Sequence, residues 1–303
     1  MGKLCARTAF DRLRGSVDDG GMNRGSRGLE ALPRLWRHEA IRVGLRRVLL
    51  TCLQAARAAM AGQPASEDVH QARIALKRAR AVLRLGDACG MAWTAPARRR
   101  LAKLARELAA ARDGFVVAKT ARRLAVKLAG RARLGAAGLV SRRAARTGGL
   151  NWAAWSRRLA AEQRRLAAQP WPALTRRELE RALARSVRRL RKRELDTSAG
   201  GESAALHEWR KAVIVLREQF NVLRPLRPQP QQCLAGQLHR VARKLGAAQD
   251  CHLLIVAAQR TRTSAGRAQL VSCAVQEWQR AVARARHHWA KVWPALRDDF
   301  ELA

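Results

Sequence analysis

The sequence predicts an all-α protein made of two helical bundles that are related by an internal repeat. Ala, Leu and Arg dominate the chain, and all three are strong helix formers. No stretch alternates Val, Ile or Thr with polar residues, which is the pattern expected of strands. His70 and His207 lie 137 residues apart, as do Asp113 and Asp250. Two separate motifs that share one offset indicate a tandem duplication.

Eight helices are predicted in order, each ending at residues that interrupt apolar periodicity. Interruptions fall at 62–64, 148–149, 170–172, 198–201 and 225–230, where Gly, Pro and Ser collect. Ser66 through Asp68 and Ser203 are suitable residues for capping two helix N-termini. The predicted helices span about 34–61, 66–86, 96–129, 150–168, 173–195, 203–224, 229–260 and 263–290.

The domain organisation follows from the repeat. Residues 1–28 are rich in Gly, Arg and Ser without periodicity, and we interpret them as a disordered leader or as an overextended start that precedes Met22. One domain is expected over 29–292, with a first half over about 29–165 and a second half over about 166–292. Residues 293–303 are expected to form a C-terminal tail.

The charge balance predicts a polyanionic partner. The chain has 61 Lys and Arg residues, 52 of them Arg, against 23 Asp and Glu, which gives a net charge of +38. Nucleic acid, an anionic membrane surface and inorganic polyphosphate all fit such a balance. Genomic base composition can explain part of the arginine excess, but it does not explain the shortage of acidic residues.

Cysteine usage and hydropathy bear on the compartment. The six cysteines are scattered without a C-x-x-C pair, which favours a reducing compartment over a zinc site or a disulfide framework. No apolar run approaches the roughly 20 residues needed to span a bilayer, and no secretory signal is evident. A cytoplasmic protein without cofactor or bound metal is therefore expected.

The predicted helix over 66–86 combines a core face with a basic face. Val69, Leu76 and Leu83 lie on one apolar arc at about 100° per residue. A stripe beside this arc carries His70, Arg73, Lys77, Arg80 and Arg84. Like charges one turn apart repel, at about 0.2–0.5 kcal/mol per pair. A bound polyanion would offset that repulsion, whereas the alternative interpretation is a solvated helix face.

The second copy of this helix has a weaker stripe. His207, Arg210 and Arg217 repeat His70, Arg73 and Arg80. Ile214, Val215 and Asn221 stand where the first copy has Lys77, Arg78 and Arg84, and Lys211 restores one charge. The two halves are therefore not expected to contribute equally to binding.

A second repeated element adds cations to each half. Lys103 and Arg106 match Arg240 and Arg243 on a predicted helix whose leucines form a core seam. Asp113 and Asp250 end the repeated motifs L-A-A-A-R-D and L-G-A-A-Q-D. Each aspartate could hold an arginine of the neighbouring stripe, although an ordinary ion pair at a helix end or in the core is the simpler interpretation.

The motifs V-H-Q-A-R-I-A-L-K-R-A-R with L-A-A-A-R-D, and L-H-E-W-R-K with L-G-A-A-Q-D, resemble the CHAD family, the conserved histidine α-helical domain. The resemblance covers roughly 30–292. It implies two helical bundles around a basic pore or groove that binds inorganic polyphosphate, and association with polyphosphate granules. The polyphosphate-binding residues expected from the stripes, the second repeated element and the resemblance together are His70, Arg73, Lys77, Arg78, Arg80, Arg84, Lys103, Arg106, His207, Arg210, Lys211, Arg217, Arg240 and Arg243.

Two other functional classes compete with non-catalytic polyphosphate binding. A nucleic-acid-binding protein is the alternative, but helix-turn-helix, RNA-recognition and zinc-finger signatures are absent, and aromatic residues make up only 4% of the chain. An enzyme is disfavoured because phosphohydrolysis usually needs carboxylates that hold Mg²⁺, and the stripes contain none. Polyphosphate binding predicts tighter association at pH 6 than at pH 8, through the histidines.

Overall fold

The helices of the computed structural model lie close to the predicted positions. The structure describes residues 33–62, 64–128, 150–198, 203–227, 229–260 and 266–301, and this part of the chain contains eight α-helices, one 3-10 helix and no strand. The α-helices are α1 (Ile41–Ala59), α2 (Ser66–Ala88), α3 (Thr94–Ala125), α4 (Trp152–Ala167), α5 (Arg176–Ser198), α6 (Ser203–Leu223), α7 (Gln229–Gln259) and α8 (Arg267–Asp299). The all-α fold class is confirmed.

Side-chain caps begin several of these helices. The backbone N–H of Ala65 donates to Asp68 Oδ2 at 2.8 Å at the start of α2. Thr175 and Glu178 cap α5 reciprocally, since Glu178 Oε2 accepts from the Thr175 N–H at 2.7 Å and Thr175 Oγ1 accepts from the Glu178 N–H at 3.2 Å. Asn151 Oδ1 caps α4 through the Ala154 N–H. The cap predicted at Ser66 through Asp68 is thus made by Asp68.

The last helix is longer than expected. α8 continues to Asp299 and contains Pro294, so residues of the expected tail belong to it. Trp289, Val292 and Leu296 are buried along this stretch, which extends the helical apolar spacing past the proline. Arg227 pairs with Asp299, and the Phe220 and Phe300 rings lie 6.3 Å apart. These contacts hold the end of α8 against the end of α6.

Packing places four helices at the centre of the molecule. In the first half α2 packs between α1 and α3, and in the second half α6 packs between α5 and α7. The halves meet where α2 packs on α6 and α3 on α7. Buried residues from all eight helices form one continuous core, and a smaller apolar cluster joins α3, α7 and α8. The basic stripes lie on α2 and α6, so this packing brings them together.

Some sequence expectations fall on residues outside the described ranges. These are the leader over 1–28, the break at Gly148 and Gly149, and most of the break over 198–201. Within the described ranges, no helix is both long and apolar enough to cross a membrane.

Candidate anion-binding site

The centre of the site is a cluster of four cations from three helices, which we call the central cluster. Arg73 and Lys77 lie on α2, Arg112 on α3 and Arg210 on α6. Burial and the neighbouring guanidinium groups of Arg210, Arg73, Arg217 and Arg112 hold the pKa of Lys77 well below its ordinary value. Burial and Arg112 lower the pKa of Arg73 to about 10 despite the opposing charge of Asp113. The cluster therefore stabilises negative charge placed within it.

Several guanidinium donors of this cluster are buried without a partner. Within the described part of the chain, no hydrogen-bond acceptor reaches Nε and Nη1 of Arg73 or Nε of Arg210. A buried polar group left unpaired costs about 1–3 kcal/mol, and more when it is charged. Oxygen atoms of a ligand would remove this cost.

The two repeated histidines lie beside the central cluster in different surroundings. Burial, Arg112 and Lys77 lower the pKa of His70 to about 4. His207 Nδ1 lies 3.1 Å from Gln249 Oε1, to which its N–H can donate. Burial and Lys211 lower the pKa of His207, and the Gln249 contact partly opposes them. Both imidazoles are thus held in the neutral form in the free protein at neutral pH.

A second group of cations continues along α2, and we call it the outer cluster. It consists of Arg80 and Arg84 on α2 with Arg98 and Arg106 on α3. Burial and the neighbouring Arg98 lower the pKa of both α2 residues, that of Arg84 to about 10. Nε of Arg80, Arg84 and Arg98 is buried, and none has an acceptor among the described residues. The central and outer clusters together follow α2 from His70 to Arg84, about 21 Å along its axis.

Arg217 lies near the central cluster and also contacts residues of α6 and α7. Its Nε donates to Glu218 Oε1 at 2.9 Å, and its Nη1 lies 3.1 Å from His239 Nδ1. Burial, Arg217 and Arg243 lower the pKa of His239, and Arg240 acts in the same direction. Arg240 and Arg243 are themselves exposed on α7.

The structure places Arg78 away from the stripe. Arg78 is 1% exposed and donates from Nε to Glu218 Oε2 at 2.8 Å. It faces α6 in the contact between the two histidine helices, where Glu218 engages its Nε, and its role as a ligand contact stays a prediction. Lys211 is exposed and pairs with Glu208 at 2.6 Å, and its contact with a ligand also stays a prediction. Lys103 is exposed on α3.

Sequence reasoning missed Arg112 and His239. Arg112 stands in the repeated motif L-A-A-A-R-D, directly before the aspartate, and the second copy has Gln249 at the same position. Its position in a repeated motif, next to Asp113, was the signal that the sequence offered. His239 has Ala102 as its counterpart, so the repeat gave no signal for it. Its spacing from Arg243, one helical turn, was the only indication.

Asp113 and Asp250 each lie where the carboxylate can hold an arginine of the neighbouring stripe. Asp113 favours the charged form of Arg73, and Asp250 favours that of Arg210. Burial raises the pKa of Asp250, while Arg210, Arg112, Arg123 and Lys119 oppose that effect. Each aspartate thus lies close to an arginine of the central cluster.

Among the described residues, no three His, Cys, Asp or Glu side chains are grouped as a metal ion would need.

Comparison with known proteins agrees with the resemblance in the motifs. The crystal structure of the CHAD domain from the plant Ricinus communis superposes with a TM-score of 0.59 at 19% identity, covering 90% of this chain and 95% of that chain. No curated protein matches the chain. The family model described as CHAD domain matches residues 45–259, which is most of the chain. The protein therefore belongs to the CHAD domain family.

Proposed function

We propose that the protein binds inorganic polyphosphate along α2, with the central cluster as the main contact. The observation that carries this proposal is the set of buried, unpaired guanidinium donors on Arg73, Arg80, Arg84 and Arg210. A buried cation without a hydrogen-bond partner is unfavourable unless a ligand or solvent satisfies it. Phosphate oxygens match the planar fork of arginine, and charge-assisted bonds of this kind are about twice as strong as neutral ones.

The shape of the site favours a linear polyanion over a compact one. The cations follow one helix over about 21 Å, with further cations from α3 and α6 facing them. A flexible chain with one negative charge per phosphate can contact successive members of this row. Readout of nucleobases needs aromatic platforms or base-edge contacts, and aromatic residues make up only 4% of the chain.

The proposed role is binding without catalysis, in the cytoplasm and at polyphosphate granules. The carboxylates nearest the central cluster, Asp113 and Asp250, each lie against an arginine. They are therefore suited to hold Arg73 and Arg210 in place. The two-fold relation between the halves around a shared pore is part of the proposal, supported by the contacts of α2 with α6 and of α3 with α7.

A competition experiment tests the ligand assignment. Labelled polyphosphate bound to the protein is titrated with duplex DNA and with RNA at equal phosphate concentration. We expect unlabelled polyphosphate to displace the label at a much lower phosphate concentration than either nucleic acid. Equal displacement by DNA or RNA would show a general polyanion-binding protein and overturn the assignment.

A further inference from the structure

The exposed face of α5 carries a second stripe of cations, which we call the α5 stripe. Its members lie at helical spacings of four, four, three and four residues, so they share one face over about 22 Å. All of them are exposed, while Leu183, Val187 and Leu190 on the opposite face are buried. The stripe consists of Arg177, Arg181, Arg185, Arg188 and Lys192.

The α5 stripe lacks the charge compensation found elsewhere on the same helix. Arg176 pairs with Glu180 and Arg193 with Asp196 near the two ends of α5. No ion pair to a described residue involves any member of the stripe. Hydrogen bonds from Thr175 engage the nearby Glu178 carboxylate and lower its pKa, and Arg181 acts in the same direction. The repulsion between like charges one helical turn apart is therefore not offset along the stripe.

The α5 stripe meets the end of α2 at Arg185, its middle member, beyond the outer cluster. Arg189, on the same helix, acts with Arg98 to lower the pKa of Arg84. Arg185 donates to the carbonyl oxygen of Ala88, the last residue of α2. Two carboxylates lie near this junction: Asp87 pairs with Arg98 at 3.2 Å, and Glu178, whose backbone carbonyl accepts from Cys89 Sγ, is hydrogen-bonded to Thr175. Cations thus continue from α2 onto α5, and both nearby carboxylates are already engaged by other residues.

We infer that the α5 stripe binds the part of a long linear polyphosphate that passes beyond Arg84. This inference rests on the proposed function and adds a second contact surface for the same ligand. Exposed, flexible cations engage successive phosphates without fixed geometry, and each contact releases counterions. The α5 stripe therefore contributes to the affinity for long chains only, because a chain that spans His70 to Arg84 ends before reaching it.

The test compares two ligand lengths and three proteins. One polyphosphate is just long enough to span about 21 Å, the distance from His70 to Arg84 along α2, and the other is at least twice that length. The stripe variant carries Arg177→Gln, Arg181→Gln and Arg188→Gln. The control variant carries Arg42→Gln, Arg157→Gln and Arg164→Gln, which removes the same charge from exposed arginines of α1 and α4. Dissociation constants are measured over a salt series for each pair.

We expect the stripe variant to bind the long chain more weakly than the control variant does. The salt slope, which is the slope of the logarithm of the binding constant against the logarithm of the salt concentration, should fall by about two, because each contact to a single-stranded polyanion contributes about 0.7. The two variants should bind the short chain equally. Equal binding of the long chain overturns the inference and leaves the proposed function intact. A loss as large for the short chain as for the long chain also overturns it. Failure of the parent protein to bind either chain overturns the proposed function and the inference together.

Discussion

At the scale of single residues, His70 links the site to pH. Its pKa is about 4 in the folded protein because of burial, Arg112 and Lys77, against an ordinary value of 6.5. Between these values the unfolded state binds more protons than the folded state, so stability falls as the pH drops from about 6.5 toward 4. The pKa values of His207 and His239 are also lowered, and they act in the same direction.

We therefore expect the free protein to unfold at lower urea concentration at pH 5 than at pH 7. The variant His70→Asn should lose less stability over that interval, because it lacks one of the histidines whose pKa is lowered by folding. Urea unfolding curves at the two pH values check this expectation. An equal loss in the parent and the variant would mean that His70 is protonated normally in the folded protein.

Bound polyphosphate should reverse the pKa shift of His70. Negative charge beside the imidazole favours its protonated form, so binding takes up protons as the pH is lowered. We expect tighter binding at pH 6 than at pH 8, with His70→Ala and His207→Ala reducing the difference. Since the pKa of His70 starts at about 4, the ligand must raise it by about two units for a large effect at pH 6. Affinity that is independent of pH contradicts the role of the histidines.

Glu218 is the residue on which the contact between the histidine helices depends. It is fully buried and accepts hydrogen bonds from Arg78 and Arg217. Glu218→Gln leaves two cations without their carboxylate, and breaking a buried ion pair costs about 3–5 kcal/mol. Glu180→Gln is the matched control, since the exposed pair with Arg176 contributes about 1 kcal/mol or less. Urea unfolding measures both, and similar small losses would show that the buried group contributes no net stability.

At the scale of helices, the two basic stripes differ in the surroundings of their lysines. Lys77 on α2 lies among the guanidinium groups of the central cluster. Lys211 on α6 is exposed and already pairs with Glu208. Removing Lys77 therefore removes a cation that faces the proposed ligand, whereas removing Lys211 mainly frees a carboxylate.

We accordingly expect Lys77→Gln to weaken polyphosphate binding and to lower the salt slope by about 0.7, the value for one contact to a single-stranded polyanion. Lys211→Gln, its matched control, should leave both nearly unchanged. Isothermal titration of the two variants at three salt concentrations distinguishes them. Equal losses would mean that both stripes contact the ligand alike.

The sequence was sufficient to predict the helices because apolar spacing and capping residues act locally. The helix predicted over 66–86 begins at the same residue as the observed α2, Ser66–Ala88, and ends two residues earlier. The partners of individual side chains depend on how helices pack, and local patterns do not contain that information. Arg78 and Lys77 are neighbours in one basic run, yet packing directs Arg78 toward Glu218 and Lys77 toward the central cluster. The position of Arg112 beside the cations of α2 depends on the same packing.

At the scale of the whole molecule, the central claim is that burial of cations, and not net charge alone, creates the binding site. The chain has a net charge of +38, so any polyanion will associate with it to some extent. The proposed site differs from the rest of the surface because its guanidinium donors are buried and unpaired where α2, α3 and α6 meet. Removing charge there should have a greater effect than removing equal charge elsewhere.

The most direct test of this claim is the salt dependence of polyphosphate binding by the parent and by two variants of equal net charge. The parent is compared with the variant Arg73→Gln, Lys77→Gln, Arg112→Gln and with the control variant altered at Arg42, Arg157 and Arg164. We predict that the central-cluster variant loses affinity and that its salt slope falls by about two, at about 0.7 per contact, while the control variant retains both values of the parent. A central-cluster variant with the affinity and slope of the control variant would contradict the claim.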